Sequence, residues 1–140
     1  MILESRTSMQ VPFQDVDMFS IVWHGNYPRY LEVARCQLLE KLDYTYMDMK
    51  ASGYVFPVVD LKIRYVRPIE FGQKIVVTAR LKEWRNWVRI NYDIVDENTG
   101  ERLTKAVTRQ VAILLESRTL LSESPQILLD KVQNALASSR

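Results

Sequence analysis

Between Val58 and Ile94 apolar side chains fall on every second residue, and this alternation constrains the fold more than any other feature of the chain. Val59, Leu61, Ile63 and Tyr65 alternate with Val58, Asp60, Lys62 and Arg64; Ile75, Val77, Ala79 and Leu81 mark a second run, and Val88, Ile90, Tyr92 and Ile94 a third. A period of two sends alternate side chains to opposite faces of a strand, so each run predicts a strand with one buried face. Pro68 with Gly72, Arg85-Asn86, and Asp96-Glu97-Asn98-Thr99-Gly100 supply turns. Short turns between long strands make an antiparallel meander, which Leu103–Leu115 completes.

Such a sheet needs a cover for its apolar face, and the preceding segment supplies one. Tyr27, Tyr30, Leu31, Ala34, Leu38 and Leu42 recur at steps of three and four, which places them on one helical face. Arg29, Arg35 and Glu40 fall largely elsewhere. The helix begins between His24 and Pro28, with Asn26 as N-cap and Pro28 in the first turn, where a missing N–H costs nothing. Arg6–Gln14 reads as a first strand, Asp15–Ser20 as a loop, Tyr44–Ser52 as a short helix closed at Gly53, and the tail from Ser124 as a terminal helix. The expected architecture is α+β, an antiparallel sheet wrapped around a long central helix.

With 140 residues, 1–140 is expected to form a single domain. The 19 basic and 17 acidic residues interleave without a basic tract, so a nucleic acid partner is not expected. No apolar run approaches the roughly 20 residues of a membrane span, and Met1–Thr7 lacks the apolar run of a secretory signal. One cysteine, Cys36, builds no internal disulfide, so a reducing cytoplasm is the expected compartment; the residue reads as core. His24 is the only histidine, and no carboxylates show ligand spacing, so neither a metal nor another cofactor is expected. The three tryptophans and the tyrosines are expected in the core and at subunit contacts.

The segment Phe13-Gln14-Asp15-Val16-Asp17-Met18-Phe19-Ser20-Ile21-Val22-Trp23-His24-Gly25-Asn26-Tyr27 resembles the signature of 4-hydroxybenzoyl-CoA-type thioesterases, with its Asp-x-Asp loop and Asn-Tyr helix start. Tyr30-Leu31-Glu32-Val33-Ala34-Arg35 and Arg64-Tyr65-Val66-Arg67-Pro68-Ile69-Glu70-Phe71-Gly72 resemble the same family's helix and strand-to-turn segment. The resemblance implies a hotdog fold assembled into a homodimer or homotetramer, with active sites at the subunit interface and an acyl-CoA substrate. It also implies that Asp17 is the catalytic carboxylate and that the backbone N–H of His24 polarises the thioester carbonyl. Ser20 departs from the pattern, which usually has Gly there.

The chemistry these residue types allow agrees with that assignment. Thioester cleavage develops an oxyanion, and the first N–H groups of a helix lack intrahelical partners and lie at the positive end of its dipole. A loop carboxylate then acts as nucleophile or as general base on water. Asp15 reads as a loop-bonding residue. Asn26 and Tyr27 are candidates to line the acyl pocket, with capping and core packing as their structural alternatives. Arg64, Arg67 and Lys62 are candidates for the phosphates of coenzyme A, with solvated strand charges as theirs; Glu32 and Arg35 read as a helical ion pair or surface charges. An acyl-ACP thioesterase and a non-catalytic acyl-thioester binding module are the competing expectations.

Overall fold

The computed structural model describes residues 3–138. Strand β1 (Glu4–Gln10) is followed by a loop and by helix α1 (Tyr27–Lys41), a short helix α2 (Tyr46–Ala51) and strands β2 (Tyr54–Val55), β3 (Val58–Tyr65), β4 (Lys74–Glu83), β5 (Val88–Asp96), β6 (Arg102–Gln110), β7 (Ile113–Leu114) and β8 (Thr119–Leu120). Helix α3 (Gln126–Ser138) closes the chain. The five long strands form one antiparallel sheet in the order β1-β4-β5-β6-β3. The expected meander is its centre, and β3 crosses over to join β6 at the far edge.

The stripe on α1 is buried throughout, with Tyr27, Tyr30, Leu31, Ala34, Leu38 and Leu42 almost inaccessible. It packs against one face of the sheet, where Ile75, Val77, Ala79, Ile90 and Ile94 are fully covered, and its main contacts are with β1 and β4. Each fully buried large apolar side chain stabilises by roughly 1.5–3 kcal/mol, so helix and sheet form one core. Leu128 and Val132 of α3 join the same cluster. The arrangement is the hotdog fold that the sequence implied.

Several expectations are corrected. Strand β1 ends at Gln10, because Pro12 has no N–H for a ladder, and Phe13–Asp15 forms a 3-10 turn. Leu103–Leu115 is two elements, since the chain leaves the sheet after Gln110 and pairs Ile113–Leu114 with β2 in a small second sheet, β2-β7-β8. Arg35 is buried, 8% exposed, and pairs with no acid among the described residues; its Nε donates to Tyr46 Oη at 2.7 Å and its Nη1 to Tyr92 Oη at 3.3 Å. The long side chain flanks the apolar stripe, and two phenol oxygens solvate the guanidinium in place of water. Cys36 is half-buried, and burial raises its thiol pKa, which suits an inert residue.

The largest correction concerns β3. Val59, Leu61 and Tyr65 are 54%, 42% and 49% exposed. In-register pairing puts Leu61, Ile63 and Tyr65 opposite Thr108, Ala106 and Thr104, on the face that α1 covers elsewhere. Helix α1 lies over the β1–β4 side, so the β3 end of that face is bare in the single chain.

Candidate active site

The loop between β1 and α1 doubles back on itself. Asp17 N donates to Ile21 O at 2.9 Å, Val16 bridges to Val22, and Trp23 N donates to Asp15 O at 3.0 Å. Ser20 closes this tight turn with φ of 63°, donating its N–H to Asp17 O. A serine therefore adopts the left-handed conformation that favours glycine, the residue the family pattern usually has at this position.

A second segment anchors the loop. Val22 N donates to Ile69 O at 2.8 Å, Phe71 N to Ser20 O at 2.9 Å, and Ile21 bridges to Glu70. Two stretches that carry the sequence resemblance, Phe13–Tyr27 and Arg64–Gly72, are thus neighbours in space.

Within this frame the half-exposed Asp17 accepts a hydrogen bond from Phe19 N at 2.8 Å on Oδ1. Its Oδ2 has no partner among the described residues. One oxygen orients the carboxylate and the other is free for chemistry.

Beyond the loop, His24–Asn26 form a 3-10 turn that runs directly into α1. The first donor of that turn is Asn26 N, to Trp23 O at 2.9 Å, and neither His24 N–H nor Gly25 N–H finds an acceptor among the described residues. The Trp23 ring lies against Gly25 so closely that an added Cβ would sit 2.2 Å from Trp23 Cζ3. It also lies 5.1 Å from the exposed His24 imidazole, centroid to centroid. Tyr65 Oη donates to His24 O at 3.3 Å, and the Tyr65 ring meets Tyr27 edge-on at 4.7 Å. Tyr65 is a site neighbour that sequence reasoning missed, since its alternation spoke only of burial.

Asp15 ties loop to helix. It is 2% exposed; Oδ1 accepts from Arg29 Nη2 at 2.5 Å and Oδ2 from Tyr30 Oη at 2.6 Å. Its carbonyl accepts from Trp23 N and from Asn26 Nδ2, the latter at 2.9 Å. Asn26 therefore spends its side chain on the loop rather than on an N-cap. Burial alone would raise the Asp15 carboxyl, but the hydrogen bonds from Arg29 and Tyr30 and the Arg29 charge outweigh it and hold the pKa below its ordinary value. Burial and the bond to Asp15 push the Tyr30 phenol well up, so it stays a donor.

Of the remaining candidates, Tyr27 backs the junction from the core, and Arg64 and Arg67 lie apart from it. Tyr27 is a core residue, 2% exposed, with its phenol raised by burial and by Tyr65. Arg64 lies on the opposite sheet face from Tyr65, beside Lys105 across the ladder. Arg67 pairs with Glu101 at 2.6 Å in an exposed contact. The rim of the loop is apolar and open: Phe13, Met18, Phe19 and Phe71 are exposed, with Phe13 and Phe71 edge-to-face at 5.6 Å. Among the described residues there is no group of three or more metal-ligating side chains and no helix long and apolar enough to cross a membrane.

Comparison with known proteins gives the chain its family and its fold relatives. The sequence profile of the Thioesterase-like superfamily matches residues 11–136. The chain is 29% identical over 113 residues to the Bacillus subtilis protein named "Putative acyl-CoA thioesterase YneP", covering 81% of this chain and 82% of that one. It is 26% identical over 118 residues to the long-chain acyl-CoA thioesterase FadM of Escherichia coli, covering 84% and 89%. The crystal structure of the DHNA-CoA thioesterase from Staphylococcus aureus superposes with a TM-score of 0.80 at 26% identity, covering 98% of this chain and 95% of that one.

Proposed function

The chain belongs to the thioesterase-like superfamily and is a thioester hydrolase, and from that premise we propose that it cleaves acyl-CoA to the free acid and CoA, with the Asp17 carboxylate and the His24 N–H as its machinery. The observation that carries this reading is the pairing of a carboxylate oxygen and a backbone donor, neither with a partner among the described residues, at one loop–helix junction. The thioester oxygen accepts from His24 N–H; as it becomes an oxyanion, a fixed donor lowers the barrier by about 3 to 4 kcal/mol. The helix dipole adds to the same effect.

Asp17 Oδ2 then has two routes. As general base it takes a proton from water while the water oxygen attacks the carbonyl carbon; the C–S bond breaks and the thiolate takes up a proton. As nucleophile it forms an acyl anhydride with loss of the thiolate, and water hydrolyses the anhydride. Single turnover in 18O-labelled water tests the anhydride route, because label in the Asp17 side chain, left by water attack at the aspartyl carbonyl, arises from that route alone.

Asn26 supports the site by holding the turn to Asp15, and Tyr27 backs it through Tyr65. The acyl group lies against the apolar rim and the bare face of β3. A second copy of the chain, paired along the β3 edge as homodimer or half of a homotetramer, would complete the pocket. A long edge strand with a bare apolar face favours such pairing.

Whether the substrate is of the 4-hydroxybenzoyl type is a matter of the acyl group. Among the relatives are a long-chain acyl-CoA thioesterase and a DHNA-CoA thioesterase, so aliphatic and aromatic esters both belong in the test. Incubation of the pure protein with short, long and aromatic acyl-CoAs, with released thiol titrated, tests the reading. We expect turnover of at least one class, and no thiol release from any of them contradicts it.

A further inference from the structure

The sheet face turned away from α1 carries a feature that the reaction above does not use. Lys62, Arg64, Arg80, Lys82, Arg102 and Lys105 line a trough of about 390 Å³. In-register pairing sets Arg80 opposite Asn91, Asn91 opposite Val107, and Val107 opposite Lys62. Along this row the middle of the trough is uncharged and both rims are cationic, while in the neighbouring row Asp93 and Lys105 face each other on the two central strands. Four strands at about 4.8 Å spacing put those rims roughly 14 Å apart, too wide for one small anion and suited to an extended one.

The charge balance is as telling as the shape. Asp93, the one acid in the trough, is already held by Arg80 at 2.5 Å and Arg102 at 3.5 Å. Lys62, Arg64, Lys82 and Lys105 have no ion-pair partner among the described residues, and Arg64 faces Lys105 directly across the ladder, an arrangement that destabilises a sheet. The whole chain carries only +2, so the excess is local. A phosphate-bearing ligand would relieve it through charge-assisted hydrogen bonds.

The trough also leads to the site. A second cleft, of about 440 Å³, shares Arg64, Arg102 and Lys105 with it and continues to Tyr65 and Val66. Tyr65 is the residue whose hydroxyl reaches His24 O. An arm lying in this cleft would connect a head group on the outer face with a thioester at the helix start.

We propose that the trough binds the phosphorylated nucleotide end of the coenzyme A ester, with Lys82 and Lys105 contacting its phosphates together with Arg64. This rests on the thioesterase reading. The test compares acyl-CoA, acyl-dephospho-CoA and acyl-pantetheine as substrates, and measures binding of adenosine 3′,5′-bisphosphate by calorimetry. In the wild type, KM should rise from acyl-CoA to acyl-pantetheine by about tenfold or more, with acyl-dephospho-CoA between them. Lys82→Glu and Lys105→Glu should each raise the KM for acyl-CoA and weaken the bisphosphate while kcat stays within about twofold. Lys50→Glu, an equal charge change on α2 outside the trough, should do neither.

Equal KM values for the three esters, or no binding of the bisphosphate, would overturn the assignment. So would binding of an acidic carrier protein or a single-stranded oligonucleotide that depends on Lys82 and Lys105 without any binding of the nucleotide. If no ester is hydrolysed but the bisphosphate binds and Lys82→Glu abolishes that, the trough stands as a nucleotide-phosphate site and the hydrolase reading falls instead.

Discussion

Two residues carry the site's geometry without touching the substrate. Asp15 fastens the loop that bears Asp17 to the turn that bears His24, through both its carboxylate and its carbonyl. Asp15→Asn removes the charge that Arg29 meets, and is expected to cost about 1–3 kcal/mol of stability and to lower kcat more than it changes KM; urea unfolding and steady-state kinetics measure the two. Because the folded carboxyl titrates below its unfolded value of about 4, its contribution is present above that pH and fades as the pH falls through the folded pKa. The stability gap between wild type and Asp15→Asn should accordingly narrow below about pH 4, and a gap unchanged down to pH 2 would show that the charge is not what matters. Ser20 is the second such residue. Its left-handed backbone costs a non-glycine residue about 1–2 kcal/mol, while glycine loses roughly 0.5–1 kcal/mol more entropy on folding. The strain wins, so Ser20→Gly should raise stability by about 0.5–1 kcal/mol with little change in turnover, and a fall in the urea midpoint would refute the strain.

Among the elements, α1 does two tasks, since its stripe holds the sheet and its start presents the free N–H groups. Leu38→Ala, fully buried in the last turn of α1, is expected to cost about 2–5 kcal/mol by denaturation. Gly25→Ala tests the other end: a Cβ there must displace the Trp23 ring, so kcat/KM should fall while the melting temperature moves little. The helix was legible in the sequence because steps of three and four are a local pattern, and so were the three central strands. Arg35 was not, because its partners Tyr46 and Tyr92 lie on other elements, and spacing along one helix says nothing of what a long side chain reaches. The crossover that brings β3 beside β6 was equally hidden. Alternation reports that a strand buries one face, not which neighbour it joins or what covers it. For the same reason the Asp-x-Asp loop was readable as a site, yet the arrival of Tyr65 at His24 and of Lys105 beside Arg64 was not.

For the whole molecule, the bare side of β3 is where pattern and single chain disagree. The alternation asks for burial that this chain alone does not provide, and pairing with a second copy would supply it. Leu61→Lys should then shift sedimentation toward the monomer and reduce turnover with it; a wild type that is monomeric and fully active would end the claim that the site is shared. Such an assembly would also lay two basic troughs on one continuous outer face, with the thioester-cleaving junctions on the inner side. Everything in this arrangement depends on the carboxylate at the loop tip. The most direct measurement is therefore acyl-CoA hydrolysis by Asp17→Asn beside the wild type, with circular dichroism and sedimentation on the same samples. The account predicts a fall in kcat of about 10²–10⁴-fold with fold and assembly unchanged, and near-normal turnover in that variant would contradict it.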